Sequence, residues 1–178
     1  MFFGKKKVSS EELGQGLWMF CKKFSKGFYD NFKPIAEEHG FVFDDSNIID
    51  FTRELIIVNL WIISKTLRND NKALDALHKI YINGHANFAV TEDKKTAFRR
   101  EAQKELHERY KKYYDAWDDK AGGIQSGLAI TMLEYILNEG KPDSRLINAE
   151  LSFLLITNVL SIMKAVLSFR KGYEVTDQ

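Results

Sequence analysis

Cysteine, proline and net charge are all scarce in this chain of 178 residues, which holds one Cys, two Pro and 26 Lys+Arg against 25 Asp+Glu. A lone thiol closes no internal disulfide and points to a reducing, cytoplasmic setting. A formal charge of +1 provides no global field to hold a polyanion, so nucleic acid is not expected as a partner. Few runs alternate apolar and polar residues, and with so little proline the chain leans away from sheet.

Catalytic signatures are equally sparse. No Gly-x-Ser-x-Gly elbow occurs, which removes support for a hydrolase of that class. Gly122-Gly123-Ile124-Gln125-Ser126-Gly127 is glycine-rich, but no Lys-Ser or Lys-Thr follows it, and it succeeds a helical pattern rather than a strand. Close helix contact through Gly123 and Gly127 is the simpler use. No Glu stands three residues before a His, the spacing of a di-iron bundle. Behind Met1-Phe2-Phe3-Gly4 and Lys5 to Lys7 there is no apolar run to read as a secretory signal, and Phe2 excludes myristoylation.

What is present is apolar and periodic. Hydrophobic residues make up 44% of the chain and aromatics 13%, enough for a core at a length that buries about 70% of the unfolded surface. The pattern predicts an all-α fold, a single-domain bundle of about six helices. Ser9 and Glu12 have capping-box spacing ahead of a first helix to about Phe32, whose stripe is Leu13, Leu17, Phe20, Phe24 and Phe28. Pro34 should kink or restart that helix, and Gly40 should stop it.

Leu55 to Ile63 is apolar almost all round, in a second helix over about 47–68. A third is expected from about Lys72 to Ala89, and Thr91 caps a fourth, charge-laced one that reaches about Asp118. In that fourth helix Glu105 stands four before Arg109, and Glu108 four before Lys112. A fifth runs from about Ile124 to Asn138, where Gly140 and Pro142 mark a stop. The sixth, over about 144–171, starts at Asp143 or Ser144 and is again nearly all apolar. The second and sixth are therefore expected at the centre, wrapped by the amphipathic others. Residues 1–8 read as a flexible basic N-terminus, 9–172 as the domain and 173–178 as a loose tail.

Several constellations could carry chemistry. Asn59 and Asn158 each sit near the middle of an apolar helix and must find hydrogen-bond partners there, since an unpaired buried amide costs about 1–3 kcal/mol. They are expected either to pair and fix the register of the two central helices or to line a ligand pocket with His78, Tyr81 and His85. His78 and His85, seven apart with Asp75 nearby, could hold a metal if Glu54, Glu134 or Glu150 completed the set. Their plainer use is as partly buried, hydrogen-bonded histidines. Cys21 reads as packed and inert. In the densest aromatic group, Tyr110 and Tyr114 are the candidates for a protein interface.

Trp61 with Leu67-Arg68, a helical third segment and Tyr114-Asp115-Ala116 together resemble the helical ubiquinol-cytochrome c assembly chaperones. The resemblance covers a minority of the chain, has no diagnostic motif and is not counted as membership. The reading that remains is a non-enzymatic helical protein that works by protein contact, as a homodimer or an adaptor, with no cofactor. Its alternative is an inter-helical pocket for a metal or hydrophobic ligand. The third is a peripheral protein that touches a membrane surface through its N-terminal aromatics and lysines.

Overall fold

The computed structural model describes residues 5–87, 89–118, 124–137 and 147–177. Among them are six helices and two short strands: β1 (Lys6–Val8), α1 (Ser10–Glu38), α2 (Asp45–Thr66), α3 (Asn71–Ala86), α4 (Glu92–Asp118), α5 (Ile124–Ile136), α6 (Ile147–Lys171) and β2 (Tyr173–Val175). The expected all-α bundle is what the chain forms. Most helix ends lie within a few residues of the sequence expectation, α1 being the longer exception. The joint at Gly122-Gly123, the stop at Gly140 and Pro142 and the start at Asp143 or Ser144 lie outside the described residues.

The local signals account for most of the ends. Ser9 accepts from the Glu12 amide at 3.1 Å, and the Glu12 carboxylate accepts from the Ser9 amide at 2.8 Å, so the capping box is complete. Gly40 has φ +87°, a conformation open to glycine, and it follows the last turn of α1. Helix α1 does not restart at Pro34 but runs through it to Glu38. Phe28, Phe32 and Ala36 continue one buried face past the proline, and that packing compensates for the lost backbone bond.

Helix α2 is the centre of the molecule. Phe51, Leu55, Ile57, Val58, Leu60, Trp61, Ile62 and Ile63 are all buried, each worth about 1.5–3 kcal/mol for a large apolar side chain. Helices α1, α4, α5 and α6 all pack on it. Tyr113, Tyr114 and Trp117 of α4 surround the Trp61 ring at centroid distances of 5.7, 5.6 and 5.9 Å. Helix α3 lies against α1 where Gly14 has no side chain, since a Cβ there would stand 2.6 Å from the Ala76 Cβ.

Helix α6 is not the second central rod. Leu151, Leu155, Val159, Ile162 and Val166 are buried, but the opposite side of the helix faces outward. Composition alone cannot show this, because apolar residues occupy both sides.

The two ends of the chain, expected to be loose, meet each other. Lys6–Val8 pairs in parallel with Tyr173–Val175, Lys6 opposite Tyr173 and Val8 opposite Val175. Asp177 accepts from both the amide and the hydroxyl of Ser10, at 2.8 and 2.9 Å, and Lys72 reaches the Asp177 carbonyl. Arg170 holds Asp70 through two nitrogens at 2.8 and 2.9 Å and donates to the Tyr173 carbonyl at 2.8 Å.

Candidate interaction surface

Outward on α6 stand Phe153, 71% exposed, Leu160, 50%, and Leu167, 47%. They are seven residues apart, and half-buried Ile156 and Met163 fall between them. The resulting steps of three and four make a continuous apolar stripe at the 3.5-residue spacing of a helix–helix seam. Glu150, Thr157, Lys164 and Lys171, also at seven-residue steps, run exposed along one flank. Helix α5, packed beside α6, exposes Ile130.

On the same side as that flank, with Thr157 at its edge, a groove of about 610 Å³ separates α6 from α1. Phe24, Phe28, Phe32, Ile35 and Leu154 supply its apolar lining, and Lys23, Asn31 and Asn158 its polar one. Of the two central asparagines, only Asn158 lines it. Asn59 is fully buried and donates to Ser25 Oγ at 2.8 Å, while Ser25 donates to the Cys21 carbonyl at 2.9 Å. The two asparagines do not bond to each other: Asn59 Oδ1 and Asn158 Nδ2 are both buried without a protein partner. Burial pushes the Cys21 thiol up to about 12, which leaves it protonated and unreactive at neutral pH.

The histidines of α3 belong to two different clusters. His78 Nε2 lies 2.8 Å from the Tyr110 hydroxyl and 3.1 Å from Ser64 Oγ. Burial lowers the His78 pKa, with Asp75 acting in the opposite direction. A serine at this distance from an imidazole has the spacing of a nucleophile and its base. Here, however, Ser64 is buried and donates to the Leu60 carbonyl at 2.8 Å. Neither it nor His78 lines the groove between α1 and α6 or the depressions beside Asn71, Thr52 and His85. The cluster ties α2, α3 and α4 together.

His85 packs edge-on against Tyr81 at 4.6 Å, and Tyr81 donates to Glu105 at 3.4 Å. Burial lowers the His85 pKa as well, while Glu105 raises it. His85 lines a charged depression with Arg53, Glu101, Glu105, Glu108 and Arg109. Asn59, Asn158, His78, Tyr81 and His85 thus do not converge on one pocket.

Among the described residues no three His, Cys, Asp or Glu side chains group as metal ligands, so Asp75, His78 and His85 do not form the anticipated metal site. Two of the further ligands considered are engaged elsewhere. Glu150 meets His39 at 3.0 Å, and Glu54, buried, accepts from Arg109 at 2.8 and 2.9 Å. Arg109 therefore pairs across helices rather than with Glu105, its neighbour on α4, and Glu105 meets Arg53 at 3.4 Å.

Tyr110 and Tyr114, the expected interface residues, are half-buried and pack against the core. The first is committed to His78; the second lies on Trp61 beneath the Lys65 ammonium, 4.9 Å from its ring. Sequence reasoning misses the α6 stripe because it counts the whole helix as core; the seven-residue repeat of Phe153, Leu160 and Leu167 is the signal that could reveal it. No family model matches the chain, and comparison with curated proteins and with solved structures finds no match either.

Proposed function

We propose that the protein is a non-enzymatic, cytoplasmic helical module that acts by docking another polypeptide on the outer face of α6. The observation that carries this reading is the row of Phe153, Leu160 and Leu167, large apolar side chains left in water along a helix whose other side is already buried. Exposed apolar rows of this kind mark contact surfaces. The inert thiol, the hydrogen-bonded serine and the paired Glu54 support a non-enzymatic role, since each of these reactive groups has a structural use.

A photoreactive amino acid at position 160 tests the proposal in intact cells. It should label protein, whereas the same group at Lys104, exposed on α4, should not. Labelling of lipid alone would replace this reading with membrane contact. That rival has an observation of its own, because Ala149–Lys171 is long and apolar enough by length and composition to cross a membrane. The groove beside Asn158 supports a small-ligand reading, which native mass spectrometry would reveal as a stoichiometric bound mass.

A further inference from the structure

We infer that the occupant of the α6 face is a second copy of the chain, laid antiparallel; this rests on the reading of that face as a docking surface. The first argument is periodicity. Phe153, Ile156, Leu160, Met163 and Leu167 span about 21 Å of helix at 1.5 Å per residue. Their 3.5-residue spacing follows a straight helix only with a slow drift, which a supercoiled helical partner takes up.

The second argument is charge. The exposed flank reads Glu150, Thr157, Lys164, Lys171, acidic at its start and basic at its end. With Leu160 beside the two-fold axis, an antiparallel copy sets each Glu150 near the other copy's Lys171 and each Thr157 near its Lys164. A parallel copy would instead set this flank against the partner's opposite one, so Glu150 and Lys171 would not meet. Glu150 contacts His39 but keeps 58% of its side chain exposed, so it remains accessible to a second cation. Antiparallel helices also set opposite dipole ends together. A net charge of +1 leaves little long-range repulsion between copies.

Disulfide trapping and sedimentation test the arrangement on the full chain, where buried Cys21 is the one native cysteine. Leu160→Cys should oxidise to a covalent dimer. Phe153→Cys alone should not, because its equivalents stand about 21 Å apart, but mixed with Leu167→Cys it should cross-link. Sedimentation should show a concentration-dependent dimer, weakened about a hundredfold by Leu160→Glu with the helical circular dichroism unchanged. Lys171→Glu should weaken it too, and Glu150→Lys in the same chain should restore it.

A disulfide from Phe153→Cys alone would overturn the antiparallel order. A chain that stays monomeric and yields no Leu160→Cys dimer would overturn self-association. If the photoreactive group at 160 still labelled another protein, the docking face would stand with a different occupant; if it labelled none, both readings would fall.

Discussion

Replacing Arg109 by Met should be among the most damaging single changes in the molecule. Glu54 accepts both of its guanidinium hydrogen bonds, at 2.8 and 2.9 Å, and the carboxylate is only 3% exposed. The same guanidinium lies 3.8 Å from the centre of the Tyr135 ring, so one side chain joins α2, α4 and α5. Removing one partner of such a pair leaves a buried charge without compensation, at a cost of about 3–5 kcal/mol. Exchanging both partners for apolar residues removes the charge as well and is often close to neutral. Urea unfolding of Arg109→Met, Glu54→Leu and the double variant at pH 7 measures this directly. The double variant should recover most of the loss seen in Arg109→Met, a coupling of about 2 kcal/mol or more. Strictly additive losses, or a loss below about 1 kcal/mol for Arg109→Met, would refute the reasoning.

Other outcomes follow from the same geometry. His78 and His85 have pKa values lowered from 6.5 by burial, so the fold favours their neutral forms. Their contribution is present above the unfolded value and is lost as the pH falls from there through the lower folded one, and His78→Gln should flatten the dependence of the urea midpoint below pH 6.5. Gly14→Ala, whose Cβ would meet Ala76 at 2.6 Å, should lower the melting temperature despite alanine's helix preference, with a loss of about 1–3 kcal/mol. Gly27→Ala, with nothing within 4 Å, should raise it by up to about 1 kcal/mol of stability. Removing residues 173–178 should speed hydrogen exchange at the Ser10 amide, which loses its Asp177 acceptor.

The capping box, the stop at Gly40 and the buried run of α2 are legible in the sequence because each depends on residues close along the chain. Glu54 reads only as a possible metal ligand because its partner Arg109 is 55 residues away. The same holds for Asn59, which finds Ser25 rather than Asn158. Helix α6 misleads for another reason: hydrophobicity reports that Leu155 and Leu160 avoid water equally, but only the neighbouring helices decide which of them does. The candidate pocket fails at that step, since it assumes that every apolar side of α6 meets the interior.

Pairing β1 with β2 closes a loop of 167 residues, the separation of Ser10 and Asp177. For a flexible chain the length-dependent entropy of that closure is about 4–5 kcal/mol, too much for two three-residue strands to supply alone. The contact must therefore form late, once α1 and α6 have been brought alongside each other. A fluorophore pair at positions 7 and 174 would then report completion of the whole tertiary structure and would separate as soon as either helix detached.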